Sequence, residues 1–100
     1  MKVKFQTPNF TADIKLLNFI ERKLSKLEQF YDHIVFADVY LKVQKTSEKE
    51  NKVIEILLSI PGDDLIIKKE AKTFEEATDD GVKSLERQLE KRKQKQKVYL

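Results

Sequence analysis

The spacing of apolar residues along the chain first marks a strand and then a helix. Apolar and polar residues alternate over residues 3–6, which predicts a short strand. The next apolar residues recur at intervals of three and four, which predicts an amphipathic helix of about five turns that ends near residues 32–33. Thr11 is the expected N-cap of this helix, with Asp13 in its first turn. Its predicted buried stripe is Ile14, Leu17, Ile20, Leu24, Leu27 and Tyr31.

Strict alternation then returns in three stretches, which predicts three further strands. Ile34 and Phe36 have the opposite parity to the rest of the second strand, so a strand that began there would need a bulge near Ala37. Residues 45–51 are polar and predict a hairpin loop, and residues 61–64, Pro-Gly-Asp-Asp, predict a tight turn. The predicted inward residues are Val39, Leu41 and Val43, then Ile54, Ile56, Leu58 and Ile60, then Leu65, Ile67 and Ala71.

A second helix is predicted to follow Thr73, because Thr73 and Glu76 have the spacing of a capping box. Gly81 inside this helix should cost about 1 kcal/mol relative to alanine. From Lys91 the chain is too highly charged to pack, so we expect fraying there and a flexible tail over residues 96–100. The predicted buried stripe is Phe74, Ala77, Thr78, Val82, Leu85 and Leu89.

The order of these elements predicts one α+β domain, β-α-β-β-β-α, over residues 1–95. The first helix should connect two parallel strands by a right-handed crossover, and the other strands should form an antiparallel meander. The sheet is then mixed and four-stranded, with both helices on one face because nothing else can cover it. Tyr40, Val53, Leu57 and Ile66 would lie on the other face, either as a protein-contact surface or as the ordinary open face of a small domain.

The charged residues are numerous and unevenly distributed. They make up 37% of the chain, well above the usual share of about a quarter. Residues 1–82 carry 13 basic and 15 acidic side chains, whereas residues 83–100 carry seven basic and two acidic ones. The net charge of +3 therefore arises from the C-terminal end, which indicates a polyanionic partner.

At 100° per residue, basic side chains of both helices fall opposite the buried stripes. Two such rows side by side could follow the phosphates of a folded RNA. A charged outer face is also typical of any solvated helix, and Glu86 and Glu90 would weaken the positive field by local pairing. The acidic start and basic end of the second helix suit its macrodipole as well. On the second helix the row is Lys83, Arg87 and Lys91, extended by Arg92, Lys93 and Lys95. On the first helix the row is Lys15, Arg22 and Lys26, with Lys23 nearby.

The candidate chemistry argues against an enzyme. The chain has no cysteine, which excludes disulfides and thiolate metal sites. Its one histidine, His33, is too few for an ordinary zinc site, and its place at a helix end is more typical of a capping or dipole role than of catalysis. Its acidic residues between positions 75 and 80 are more typical of a helix start than of a Mg²⁺ site, and Gly62 and Gly81 are too far apart for a phosphate loop. No apolar stretch approaches a signal core or a membrane span, so we expect a cytoplasmic protein without a cofactor.

Four segments carry a family resemblance: residues 40–43 (Tyr-Leu-Lys-Val), 48–56 (Glu-Lys-Glu-Asn-Lys-Val-Ile-Glu-Ile), 72–77 (Lys-Thr-Phe-Glu-Glu-Ala) and 85–91 (Leu-Glu-Arg-Gln-Leu-Glu-Lys). They resemble the ribosome hibernation promoting factors, also called the ribosome-associated inhibitor or sigma-54 modulation family. The resemblance runs from Val3 to about Lys95, and the last segment with the basic run after it is its most specific part. It implies the element order given above. Long members continue into a dimerisation domain, so this chain resembles the short form.

The resemblance also implies a partner and an action. The partner is the small ribosomal subunit, its 16S rRNA and ribosomal proteins, in the channel where messenger RNA and the aminoacyl and peptidyl tRNAs bind. Occupying that channel inhibits translation and protects idle ribosomes in stress or stationary phase. We expect no membrane partner, no small-molecule substrate, and a monomer off the ribosome; residues 97–100 match nothing in the family. The rRNA contacts implied for this chain are Arg22, Lys23, Lys26, Lys83, Arg87, Lys91, Arg92 and Lys95.

Two rival functions fit parts of the pattern. Double-stranded-RNA-binding domains share the order α-β-β-β-α, but they need a loop set that spans two minor grooves, and the hairpin loops here are short and acidic. A protein-interaction module would instead use the open sheet face. Binding to duplex RNA distinguishes the first rival, and salt-sensitive co-sedimentation with ribosomes excludes the second.

Overall fold

The structure, a computed structural model, describes residues 1–44 and 51–98, with side chains up to residue 95. Its element order confirms the predicted β-α-β-β-β-α arrangement. The predicted hairpin loop falls mostly on residues 45–50, outside the described residues. The elements are β1 (Lys2–Gln6), α1 (Ile14–Ser25) with a 3₁₀ turn (Lys26–Gln29), β2 (Phe36–Val43), β3 (Lys52–Ile60), β4 (Asp63–Ala71) and α2 (Phe74–Val98).

The four strands form one mixed sheet in the order β1-β2-β3-β4. β1 pairs with β2 in parallel, and the other two pairings are antiparallel, as predicted. Ile60 is paired with Asp63, so Pro61 and Gly62 alone make the turn between β3 and β4. Gly62 has φ +81, a left-handed conformation that glycine adopts without a steric penalty.

The bulge that an early start of β2 would need does not form. β2 begins at Phe36 and pairs with β3 without interruption up to Val43. Ala37 takes the first inward position, so Phe36 points to the opposite face of the sheet. Ile34 is buried just before the strand begins.

The prediction for α1 was wrong at both ends. The N-cap is Asp13 rather than Thr11: its carboxylate accepts the backbone N–H of Lys15 at 2.9 Å. Ile14, placed in the buried stripe, is 65% exposed because it begins the helix at the edge of the core. The α-helix ends at Ser25, and a 3₁₀ turn follows. Leu27 lies in that turn and is fully buried, so it still belongs to the stripe.

α2 begins as predicted, since the Thr73 hydroxyl accepts the backbone N–H of Glu76 at 3.1 Å. Every predicted residue of its stripe is buried. Gly81 lies against β4, where a Cβ would come within 2.9 Å of the Ile67 side chain. From Lys91 the backbone is helical up to Val98, since lysine, arginine and glutamine are strong helix formers. The fraying from Lys91 and the flexible tail over residues 96–100 stay predictions.

Both helices cover one face of the sheet, and the core lies between them and the strands. The opposite face is open, as predicted, and Ile66 is 67% exposed there. Val53 lies on the same open face, paired with Lys42 and Glu70, yet it is only 1% exposed. The apolar part of the open face is therefore smaller than the sequence predicts.

Candidate nucleic-acid interface

α1 and α2 run side by side in the same direction across the sheet. Three contacts join residues 10–31 to residues 74–93, and they occur in the same order along both segments. Antiparallel helices would make these contacts in opposite orders. In order along the chain they are the stacked rings of Phe10, just before α1, and Phe74, then the ion pair of Lys23 with Asp79, then a cavity lined by Tyr31, just after the 3₁₀ turn, and Lys93.

The basic residues of α1 and of the 3₁₀ turn that continues it, together called the α1 cations, divide into exposed and tethered ones. Arg22 and Lys26 are exposed, as predicted. Lys23 is half-buried, and its Nζ lies 3.3 Å from the Asp79 carboxylate on α2. The Phe19 ring lies beneath two cations, with the Lys23 Nζ 5.4 Å and the Arg22 guanidinium 6.0 Å from its centroid. These contacts restrain both cations over the Phe19 ring, and the ion pair with Asp79 also ties Lys23 to α2.

Lys83, Arg87 and Lys91 form the basic ladder on the outer face of α2, and all three are exposed. Arg87 Nε donates to the Lys83 carbonyl at 3.5 Å, which aligns the guanidinium along the helix. Lys95, one turn further on, is exposed too. Within residues 1–44 and 51–95, no carboxylate lies within 4.0 Å of these cations. The ladder therefore presents charge that no side chain in the described ranges neutralises.

The local pairing expected from Glu86 and Glu90 does not occur. None of the salt bridges in the described part of the chain involves either residue. Glu86 is half-buried and Glu90 exposed, so they lower the positive potential only through space.

The two basic rows are related through the ion pair that joins the helices. Lys26 follows Lys23 by one turn, and Lys83 follows Asp79 by one turn. Because the Lys23–Asp79 ion pair joins the helices and they run in the same direction, Lys26 and Lys83 both lie on the C-terminal side of that bridge. The arrangement is a two-row cationic surface, with one row on each helix.

Arg92 is placed differently from the rest of the predicted site. It lies about five turns after Phe74 and hence on the sheet side of α2, not in line with the basic ladder. Its guanidinium forms an ion pair with Asp63 in the turn between β3 and β4. Sequence reasoning missed both this pair and the Lys23–Asp79 pair. Helical phase was the available signal for Arg92, since it continues the buried stripe.

The remaining candidate features lie away from this surface. A cavity of about 370 Å³ at the end of the sheet is lined by Tyr31, Asp32, His33, Pro61 and Lys93. His33 there is exposed and has φ +71. Over the described ranges, no three histidine or acidic side chains cluster as a metal site would require. No described helix is long and apolar enough to cross a membrane.

Comparison with known proteins gives similar chains along the full length. The ribosome hibernation promotion factor of Bacillus subtilis (strain 168) is 34% identical over 97 residues, which are 95% of this chain and 50% of that protein. The ribosome hibernation promoting factor of Pseudomonas putida (strain KT2440) is 30% identical over 100 residues, covering 100% of this chain and 94% of that protein. This chain thus spans half of the first relative and nearly all of the second.

A solved structure and a family model agree with these relatives. The ribosomal subunit interface protein of Coxiella burnetii superposes with a TM-score of 0.83 at 20% identity, over 93% of this chain and 98% of that one. This similarity confirms the α+β fold. The sequence model of one family matches residues 3–97, nearly the whole chain. The chain belongs to the Sigma 54 modulation protein / S30EA ribosomal protein family.

Proposed function

We propose that this chain is a ribosome hibernation factor that binds RNA of the small ribosomal subunit through the two-row cationic surface. It occupies the channel for messenger RNA and tRNA, and it inhibits translation while stabilising idle ribosomes in the cytoplasm. It acts by occupying space and not as an enzyme. The hibernation factors among its relatives support this role.

The observation that carries the proposal is the unneutralised basic ladder beside the exposed cations of α1. A solvated helix face normally intersperses charges of both signs, and its cations commonly pair at i, i+4. Here, in the described part of the chain, the ladder and the exposed α1 cations have no carboxylate partner. They lie on adjacent parallel helices, a geometry that suits a folded RNA backbone. The contacts proposed on this surface are Arg22, Lys26, Lys83, Arg87, Lys91 and Lys95.

Lys23 and Arg92 belong to the proposed site in a different way. Each already has a carboxylate partner, Asp79 for Lys23 and Asp63 for Arg92. A direct phosphate contact would have to replace that partner, so each should contribute less to binding than an unpaired cation.

Phosphate neutralisation makes binding strongly dependent on salt, because each contact releases condensed counterions. Six contacts correspond to an affinity loss of roughly 10³-fold between 50 and 200 mM salt. Arginine can donate two parallel hydrogen bonds to one phosphate, which lysine cannot, so Arg87 should be the strongest single contact of the ladder.

Co-sedimentation with purified small subunits tests the proposal. Arg87→Glu with Lys91→Glu should abolish co-sedimentation at low salt, with an unchanged thermal unfolding midpoint, because both side chains are exposed. The matched control is Lys4→Glu with Lys68→Glu, which makes the same charge change on the open sheet face and should bind like the wild type. Normal co-sedimentation of the ladder variant would refute this surface.

The two rival functions predict other outcomes. A double-stranded-RNA-binding domain would bind a simple RNA duplex as tightly as the small subunit, although the described β3–β4 connection is only two residues long. A protein-interaction module, favoured by the exposed Ile66, would lose co-sedimentation in the sheet-face control rather than in the ladder variant. A duplex titration beside the sedimentation assay separates all three functions.

A further inference from the structure

The ion pair of Arg92 with Asp63 joins the end of α2 to the turn between β3 and β4. Leu89 is the last buried residue of α2 among those described, so the helix from Glu90 on extends past the packed core. Arg92 continues the line of the buried stripe. It therefore reaches back to the sheet beyond Leu89, the last described apolar side chain that α2 buries.

The Asp63 carboxylate is fixed through both of its oxygens. Oδ1 accepts the backbone N–H of Asp64 at 2.8 Å, and Oδ2 pairs with the Arg92 guanidinium. Asp63 is the first residue of β4, paired with Ile60 across the turn that Gly62 permits. The acceptor thus sits on an ordered strand end that can hold another element in place.

We propose that Asp63 is a positioning residue for RNA binding. Through Arg92 it holds the last turns of α2, and with them Lys91 and Lys95, in line with the rest of the cationic surface. Of the salt bridges within the described residues, this one alone involves α2 beyond Leu89. Cations that are already in place lose less conformational freedom on binding, so the complex is tighter. The inference rests on the proposed function.

Net charge and positioning predict opposite effects when this acid is removed. Asp63→Asn removes one negative charge, and electrostatics alone would then strengthen RNA binding. Positioning predicts weaker binding, because the end of α2 is released from the sheet. Asp64→Asn is the matched control: it makes the same charge change one residue away, and the exposed Asp64 has no cationic partner in the described part of the chain.

Two measurements on these variants test the inference. The first is hydrogen exchange of the backbone amides of residues 90–95 in the free protein, and the second is equilibrium binding to purified small subunits at one salt concentration. Relative to Asp64→Asn, Asp63→Asn should exchange about two- to five-fold faster and bind about two- to five-fold more weakly, the range set by a partly exposed ion pair. Unchanged exchange, or binding as tight as that of Asp64→Asn, would overturn the inference.

A charge swap separates positioning from direct contact by Arg92. Asp63→Arg with Arg92→Asp keeps the net charge and rebuilds the pair in reverse. This double variant should bind within about two-fold of the wild type, and Arg92→Asp alone should bind more weakly. A swap as weak as the single variant would mean that Arg92 itself contacts RNA, which would overturn the inference. Wild-type protein that fails to bind small subunits would refute the proposed function, and the inference with it.

Discussion

Replacing Gly81 by alanine tests how closely α2 approaches the sheet. A Cβ there would lie 2.9 Å from Ile67 Cδ1 and 3.6 Å from Ile56 Cδ1. The first distance is shorter than van der Waals contact, so the buried Ile67 would have to shift within a packed core. Overpacking of this kind costs about 1–3 kcal/mol, whereas alanine gains about 1 kcal/mol over glycine in a helix. We therefore expect Gly81→Ala to lower the free energy of unfolding by up to about 2 kcal/mol.

Ile67→Val removes the Cδ1 atom that makes the close contact. In that background only ordinary contacts remain, with Ile56 Cδ1 at 3.6 Å and with a γ carbon of residue 67 at 3.9 Å, so Gly81→Ala should raise the free energy of unfolding by about 1 kcal/mol. The double-mutant cycle should then give a coupling of about 1–3 kcal/mol. Urea unfolding of the four proteins, followed by far-UV circular dichroism, measures it. Equal stabilisation in both backgrounds would refute the close approach, and with it the orientation of the basic ladder that follows Gly81 on the same helix.

Two further substitutions probe the turn and the bridge between the helices. Gly62→Ala should lower the free energy of unfolding by about 1 kcal/mol, because alanine is strained at φ +81. No atom lies close enough to the new Cβ to add a clash to this cost. An unchanged midpoint in urea unfolding would contradict the prediction. Asp79→Asn should tighten small-subunit binding a few-fold, because it frees Lys23 for one added phosphate contact. The position of α1 should not change, because buried residues such as Ile20 and Leu24 hold this helix in place. A binding titration checks this against Glu76→Gln, which removes an exposed carboxylate that has no cationic partner among the described residues; equal affinities would contradict it.

The order of the elements and most of the core could be predicted from the sequence, because each is a local pattern with one solution. Ile54, Ile56, Leu58 and Ile60 alternate without interruption, and all four are buried. The stripe of α2 was equally clear, since its period of three and four continues for four turns from the Thr73 cap. The outward direction of the basic ladder follows from the same period.

The errors fall where two local solutions compete. Thr11 and Asp13 are both good caps and lie two residues apart, so the choice depends on where the chain leaves β1 and reaches the sheet face. The change to a 3₁₀ turn after Ser25 depends on the path to β2, which local spacing does not contain. In each case the tertiary arrangement decided between alternatives of similar local free energy.

The ion pairs of the candidate site could not be predicted for a related reason. The predicted cations were chosen by their position on a helix, but their partners lie on other elements, Asp79 on α2 for Lys23 and Asp63 on β4 for Arg92. Which carboxylate comes within reach depends on the packing of helices and sheet. Sequence therefore predicted where the charge is concentrated, and the structure separated the unpaired cations from the paired ones.

Chemical footprinting of 16S rRNA in small subunits, with and without the protein, shows whether the protein lies in the channel. We expect protection of backbone positions that line the path of messenger RNA and the two tRNAs. The protection should disappear with Arg87→Glu and Lys91→Glu but remain with Lys4→Glu and Lys68→Glu. Protection confined to RNA outside that channel, or a footprint that the ladder variant leaves intact, would contradict this expectation.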